Sequence, residues 1–248
     1  MILEQHNDYT VSYGAVVYRD YSFSNCNGDD LSYDKINLTT QQSVFLGNLK
    51  TKLNALPVCT DQNQNYEALS KGISLGTDLF PSEKQTNIMF IVGAVSDDPE
   101  KTDINALVDK IVKKQVTIVA YQPKRGFEES FEQFKSDIID IEKSSSAKME
   151  MNATKQFTSA KYLEPVFHTE IKNVRYFKCP EESSVADYYM SPSSTQDISV
   201  DVLAGALIKS FTNCIENIER GVSAFQDEIL KLTPTSPNSS AADWNPLI

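Results

Sequence analysis

Positively charged residues are scarce in this 248-residue sequence, where 23 Lys and Arg face 34 Asp and Glu, for a formal net charge of −11. Binding to a phosphate backbone or to an anionic membrane surface needs clustered positive charge. We therefore expect neither a nucleic acid nor a membrane surface as partner. The sequence also has no run of roughly 18 apolar residues, the length that a membrane-spanning helix needs, so direct membrane insertion is not expected.

Histidine and clustered cysteine are also rare. The two histidines are His6 and His168, and no Cys-x-x-Cys pair occurs. Zinc sites are built from clustered His and Cys ligands, so no such site is expected. Spacing alone does not decide whether the cysteines are free thiols or form disulfides, which leaves the redox compartment open. They are Cys26, Cys59, Cys179 and Cys214.

Glycine is the third scarce residue, with nine in the chain. The sequence contains no Walker loop and no Gly-x-Gly-x-x-Gly, the patterns that hold phosphate groups. Gly72-Ile73-Ser74-Leu75-Gly76 has the spacing Gly-x-Ser-x-Gly, but it lies within the helix predicted at 65–80 and not on the strand-to-helix turn where that pattern exposes a nucleophile. His168 has no Cys, Asp or Ser near it in sequence that would suggest a nucleophilic set. We therefore expect no catalytic residues, no cofactor and no enzyme activity.

What the sequence does contain is an alternation of helices and strands. Two apolar runs, 87–95 and 116–121, have the continuous hydrophobicity typical of parallel strands covered on both faces. Helices with apolar stripes precede, separate and follow them, which predicts right-handed crossovers. The predicted fold is α/β, a doubly wound and mostly parallel sheet with helices on both faces. The predicted elements are strands 11–18, 35–39, 87–95 and 116–121 and helices 41–56, 65–80, 103–114 and 127–143.

The second half of the chain is less regular. Ser144-Ser145-Ser146 predicts that the regular pattern of helices and strands becomes looser, and residues 144–170 are a candidate insertion. Residues 172–179 resemble an edge strand with basic outward positions. We expect one domain over residues 1–232, with a long helix at about 199–231, followed by a linker or tail at 233–248.

The loop predicted at residues 181–199 contains an apolar and aromatic segment. Its side chains fit either a protein interface or packing onto the domain's own surface. The residues are Tyr188, Tyr189, Met190 and Pro192.

The N-terminal residues lack the basic region and apolar run of a signal peptide. The chain also begins only a few residues before an apolar strand. We expect the sequence to be a fragment whose upstream part is absent.

The order of elements resembles the von Willebrand factor A (vWA) family from that family's second strand onward. Gly14 to Asp20, which ends in Tyr-Arg-Asp, is similar to its second strand, and Ile36 to Thr39 to its third. Ile88 to Asp97 is similar to its fourth strand, and Val116 to Tyr121 to its fifth. The start of the second helix, at residues 65–69, agrees as well. The resemblance implies a ligand-binding edge at the carboxyl ends of the strands.

Within that family, the composition and the long final helix resemble the vWA-like part of the TssR family, accessory components of the type VI secretion apparatus in Bacteroidota. This narrower resemblance implies a scaffold domain that binds other protein subunits of a larger assembly. It places the chain in the cell envelope or periplasm, with a cytoplasmic location left open.

A vWA domain that binds its ligand through a metal ion carries Asp-x-Ser-x-Ser, a Thr and an Asp on three loops, and these oxygen ligands suit Mg²⁺. The sequence departs from that pattern. By the resemblance, the first loop lies upstream. The second offers Thr60, Asp61 and Asn63 out of register, and the third has Ala94 where the Asp is expected. We predict a degraded site that holds no metal.

Two alternatives stay open. Asp20-Tyr21-Ser22-Phe23-Ser24 matches Asp-x-Ser-x-Ser after an apolar strand, so a metal-dependent adhesin would use Asp20, Ser22 and Ser24. That reading needs two further strands in a linker of about eight residues, which is too short. A Rossmann-like hydrolase or transferase would instead use Asp20 with Asp97 and Asp98, two carboxylates that a capping role also explains.

Overall fold

Parallel strands connected through helices form the centre of the protein. The structure is a computed structural model that describes residues 10–21, 23, 29–55, 66–81, 86–96, 103–123, 128–154, 168–171, 174–179 and 187–192. Within these ranges, two strands and two helices are followed by alternating strands and helices and then by three strands. The fold is α/β, as the sequence predicts.

The bounds of the elements agree with the sequence prediction in the first half of the chain. The second helix begins at Leu69, four residues later than the sequence predicts. The helices are α1 Gln42–Asn54, α2 Leu69–Leu79, α3 Ile104–Lys114 and α4 Glu128–Thr154, and the strands are β1 Tyr13–Tyr18, β2 Tyr33–Thr39, β3 Asn87–Val92, β4 Val116–Tyr121, β5 His168–Ile171, β6 Val174–Cys179 and β7 Asp187–Pro192.

The larger sheet has five strands in the order β3-β4-β7-β6-β5. β3, β4 and β7 are parallel, with Met89 opposite Ile118 and Ala120 opposite Tyr189. β6 pairs antiparallel with both β7 and β5. The parallel pairing of the two apolar runs is thus confirmed, while the far end of the sheet is antiparallel.

The smaller sheet is an antiparallel pair of β1 and β2. Arg19, only 9% exposed, anchors it, since its guanidinium donates to Asp34 Oδ2 at 2.6 Å and to the Lys52 carbonyl at 3.3 Å. Lys52 also donates to Asp34 Oδ1 at 2.8 Å. This shared carboxylate holds the end of α1 against the pair of strands.

One hydrophobic core joins α2, α3 and α4 to the parallel strands. Burial of these aliphatic and aromatic side chains is the main favourable contribution to folding. The side chain of Asp103 caps α3 by accepting from the Ala106 N–H at 3.1 Å. The core includes Leu69, Ile73, Met89, Ile91, Leu107, Ile111, Ile118, Phe134, Ile138, Ile141 and Tyr189.

The prediction that both apolar runs are covered on both faces is confirmed for β4 and wrong for β3. Val119 and Tyr121 of β4 are each 5% exposed, whereas Phe90 and Val92 of β3 are 45% and 56% exposed. Among the described strands, β3 ends the order of the larger sheet. A continuous apolar run does not distinguish a central strand from one at the margin.

The predicted loop at residues 181–199 is wrong at its centre, because residues 187–192 form β7, between β4 and β6. Tyr189 and Met190 are fully buried. Packing within the domain thus accounts for the aromatic segment. A strand of only six residues between polar flanks resembles a loop in sequence, since no long apolar run marks it.

Two further predictions for the second half are wrong. β6 is not an edge strand, because it lies between β7 and β5. Ser144-Ser145-Ser146 does not end a helix, because α4 continues to Thr154. Of the candidate insertion at 144–170, the first part is therefore helical and the last residues belong to β5. The helix predicted at 199–231 and the tail at 233–248 lie outside the described residues.

The continuity of α4 can be tested with Ser144→Pro. Proline removes a helical N–H and clashes with the preceding turn, so we expect a loss of about 3 kcal/mol or more in the free energy of unfolding. Ser144→Ala keeps the N–H and should change stability by no more than about 0.5 kcal/mol. Urea unfolding measures both. A tolerated proline would mean that the helix is interrupted there.

Candidate functional site

The candidate site lies where three chain segments meet at the carboxyl ends of β1 and β3. We call this region the rim and define it by residues 19–21, 66–68 and 93–96. The Ala68 N–H donates to the Arg19 carbonyl at 2.8 Å, and the Glu67 N–H donates to the Ser96 carbonyl at 2.9 Å. The segment 66–68 therefore lies between the end of β1 and the end of β3. Among the described strands, β1 and β3 do not pair with each other.

The side chain of Tyr18 connects the two sheets just below the rim. Its hydroxyl donates to the Val92 carbonyl at 3.3 Å. Glycines make room for it, because a Cβ at Gly93 would clash with that hydroxyl and a Cβ at Gly72 would lie 2.8 Å from the ring. Glycine is needed at both positions because of this close approach.

Two acidic residues at the rim, Asp20 and Glu67, pair through an isolated antiparallel backbone bridge. Burial raises the pKa of Glu67 to about 7, and the nearby charge of Asp20 adds to the effect. Glu67 therefore holds its proton more tightly than an exposed glutamate does. In the part of the chain that the structure describes, no group of three or more His, Cys, Asp or Glu side chains is placed to hold a metal ion.

A buried amide joins three elements beside the rim. Gln122, fully buried after β4, donates through Nε2 to the carbonyls of Ala94 and Phe131, both at 2.9 Å. Its Oε1 accepts from the Tyr189 hydroxyl at 2.5 Å. Every polar group of the amide side chain is thus occupied, and β3, α4 and β7 are joined through it.

A second network holds the Asp137 carboxylate of α4 beside Ser96, which follows β3. The Ser96 hydroxyl donates to Asp137 Oδ2. Gln133 Nε2 donates to Oδ1 of the same group at 2.7 Å. Burial raises the pKa of Asp137, and these two hydrogen bonds oppose that effect. Both oxygens of Asp137 therefore serve within the domain.

The residues singled out from sequence fall into two groups. Asp20 lies at the rim, beside Glu67. Ala94 follows β3, and its carbonyl accepts from Gln122. His168 begins β5, at the other end of the larger sheet from β3. The remaining predicted residues lie outside the described part of the chain, namely Ser22, Ser24, Thr60, Asp61, Asn63, Asp97 and Asp98.

Sequence reasoning missed the polar groups that organise this region. Asp137 and Glu142 adjoin the apolar stripe of α4 that contains Ile138 and Ile141, and a carboxyl on such a stripe is a usable signal for a buried acid. Gln122 follows directly after an apolar strand, at the carboxyl end, where ligands often bind. Nothing local in the sequence marks Glu67.

The family of the chain follows from a family model. The model described as the TssR protein VWA domain matches residues 1–226 of the 248. The chain belongs to this family. The match confirms the resemblance to the vWA family and the narrower one to TssR, and it connects the domain with type VI secretion. No curated protein and no solved structure matches the chain.

The TssR family assignment bears on which ligands the rim could bind. In a vWA-type fold, a rim at the carboxyl ends of the strands is the expected ligand-facing edge. In this domain the described rim presents the Asp20 and Glu67 carboxyls. Ser96 and Asp137 bond to each other, and Gln122 bonds to the Ala94 carbonyl, all within the domain. In the described chain, no helix is both long and apolar enough to cross a membrane.

The Gln122 network predicts a large effect of Gln122→Leu. The substitution removes the hydrogen bonds to two part-buried carbonyls and to the Tyr189 hydroxyl, and each such loss costs about 1–3 kcal/mol. We expect unfolding free energy to fall by about 3 kcal/mol or more, measured by urea unfolding. Gln133→Leu, which removes one half-exposed bond, should cost about 1 kcal/mol. Equal effects of the two variants would contradict the network.

Proposed function

We propose that this TssR domain is a non-catalytic module that docks onto another protein subunit of the type VI secretion assembly, in the cell envelope. It uses no metal and no cofactor, and binds no nucleic acid. The docking surface is one side of α1. The doubly wound arrangement predicted from sequence, with helices on both faces of the sheet, is part of this proposal.

The observation that carries the proposal is the exposure of α1. The helix packs on β1 and β2, yet none of its residues is buried. Phe45 stacks on Tyr13 with ring centroids 5.7 Å apart, and Lys52 is held by Asp34. These contacts fix the helix in place while leaving most of its surface open.

Three leucines follow one side of α1 at spacings of three and four residues, which places them in one stripe. We call Leu46, Leu49 and Leu53 the α1 stripe. Leu46 and Leu53 are 52% and 55% exposed, and Leu49 is half-buried. Single exposed leucines are common, but an exposed stripe on a fixed helix is typical of a protein interface.

The charge around the α1 stripe indicates the chemistry of the partner. The helix contains Lys50 and Lys52 and no acidic residue, in a chain whose net charge is −11. Lys50 is exposed beside the stripe. A partner surface with an apolar centre and acidic margins would complement it.

The rim supports the non-catalytic part of the proposal. The Ser96 hydroxyl donates to Asp137 and not to an imidazole, and His168 is the one histidine in the described part of the chain. His168 begins β5, four strands from β3, which is roughly 19 Å at the usual strand spacing. A hydrolase would need such a base within hydrogen-bond reach of its nucleophile. The position of segment 66–68 also separates the strand before Asp20 from β3, which disfavours the adhesin reading.

The docking surface can be tested by photo-crosslinking in cells that assemble the apparatus. A benzoylphenylalanine at position 53 should form an adduct with another secretion subunit, identified by mass spectrometry. Position 132, where the Glu132 side chain is 60% exposed on α4, serves as the control and should form none. Adducts at position 132 but not at 53 would contradict the proposal.

A matched pair of variants separates docking from folding. Leu46→Ser with Leu53→Ser should reduce secretion, while unfolding free energy changes by no more than about 1 kcal/mol in total. Val44→Ser alters an equally apolar residue, 45% exposed on the opposite side of α1, and should leave secretion unchanged. Full secretion by the double variant would show that α1 is not the docking surface.

The metal-free part of the proposal has its own test. A ligand that binds only the folded state adds about 2.7 kcal/mol of stability at 100 times its Kd. We expect Mg²⁺ to shift the melting temperature of the wild type and of Asp20→Asn equally, at matched ionic strength. A saturable rise in the wild type that is lost in Asp20→Asn would favour the metal-dependent adhesin.

A further inference from the structure

A carboxyl group without any hydrogen-bond partner lies in the interior of the domain. Glu142, on α4, is fully buried, and neither of its side-chain oxygens has a partner. Burying an ionised carboxylate in this way costs far more than burying a neutral acid. The structure therefore requires Glu142 to be protonated.

A second buried acid lies beside it, on β7. Asp187 is 4% exposed. Its Oδ1 accepts from the Ile118 N–H at 2.7 Å and its Oδ2 from the Ser146 hydroxyl at 3.1 Å. Burial raises the pKa of Asp187 to about 7, against the effect of those hydrogen bonds. Burial, and then the charge of Asp187, raise the pKa of Glu142 well above its usual range.

Among the described side chains, the elements that pack on α4 place no cation beside Glu142 and Asp187. α4 contacts α3, β6 and β7. The nearest cation–carboxylate pair between α3 and α4, Lys148 with Asp109, is exposed. β7 contains Asp187, Tyr188 and Tyr189. Among the described residues, Asp187 is the charge that acts on Glu142. The charged residues of the other two elements are Asp109, Lys110, Lys113 and Lys114 on α3, and Arg175 and Lys178 on β6.

We propose that Glu142 and Asp187 form a proton-operated latch between α4 and β7, closed while the pair is protonated and opening locally when it ionises. The part released is the second half of α4, from Lys143 onward, where the Ser146 hydroxyl donates to Asp187 on β7. Two carboxyls in one desolvated place cannot both carry charge, so they titrate as a unit.

The direction of the pH effect follows from proton linkage. Both groups bind protons more tightly in the folded state than in the unfolded chain, where carboxyls titrate near about 4. Stability is therefore fully present below that pH and falls as pH rises through about 7 and above. The latch is closed in mild acid and opens on the alkaline side of neutrality.

Native-state hydrogen exchange on the whole chain tests the latch. Between about pH 5 and pH 8, protection of the amides of residues 143–149, corrected for intrinsic exchange, should fall about tenfold or more. In Glu142→Gln, whose amide stays neutral, only Asp187 still titrates, so the same amides should lose clearly less protection than in the wild type. Glu132→Gln, at an exposed glutamate of the same helix, should behave like the wild type.

Two outcomes would overturn the latch. One is a parallel loss of protection in the wild type and in Glu142→Gln. The other is a ¹³C titration of the wild-type carboxyl of Glu142 that centres on an ordinary glutamate value, near about 4.3. The titration needs no variant, so it decides the matter even if Glu142→Gln does not fold.

Discussion

The hydrogen bonds of one buried amide hold together the edge of the sheet where a ligand would bind. Gln122 joins the carbonyl after β3 to the first turns of α4 and to the hydroxyl of Tyr189 on β7. Ser96 and Asp137 bond to each other a few residues away. Because these polar groups are occupied within the domain, we propose that the rim has a structural role and that the partner surface lies elsewhere. The account of this TssR domain as a docking module depends on that constraint.

The way in which α1 is attached to the domain explains why it is the proposed docking surface. An α/β domain normally buries one apolar stripe of each helix against its sheet. α2, α3 and α4 do so, whereas α1 is attached by an aromatic stack and by the ion pairs of Asp34. Its leucines are therefore left exposed on a fixed support, which lowers the entropy lost when a partner binds.

Much of the fold could be predicted from the sequence, since β3, β4 and the helices around them have strong and regular hydrophobic patterns. β7 could not, because six residues between polar flanks carry no periodic signal. Continuous apolar runs also could not show that Phe90 and Val92 are exposed, since strand position depends on long-range pairing. Of the candidate site, only Asp20 and Ala94 could be placed, because Glu67, Gln122 and Asp137 come together through tertiary contacts between distant segments.

The central claim is that this TssR domain binds its partner through α1 and not through a cation at the rim. The most direct measurement is a cryo-electron microscopy map of the assembled apparatus at side-chain resolution. The account predicts that the partner covers the leucines of α1 and that density for a cation is absent beside Asp20 and Glu67. A cation held there and completed by a carboxylate of the partner, with α1 facing solvent, would contradict it.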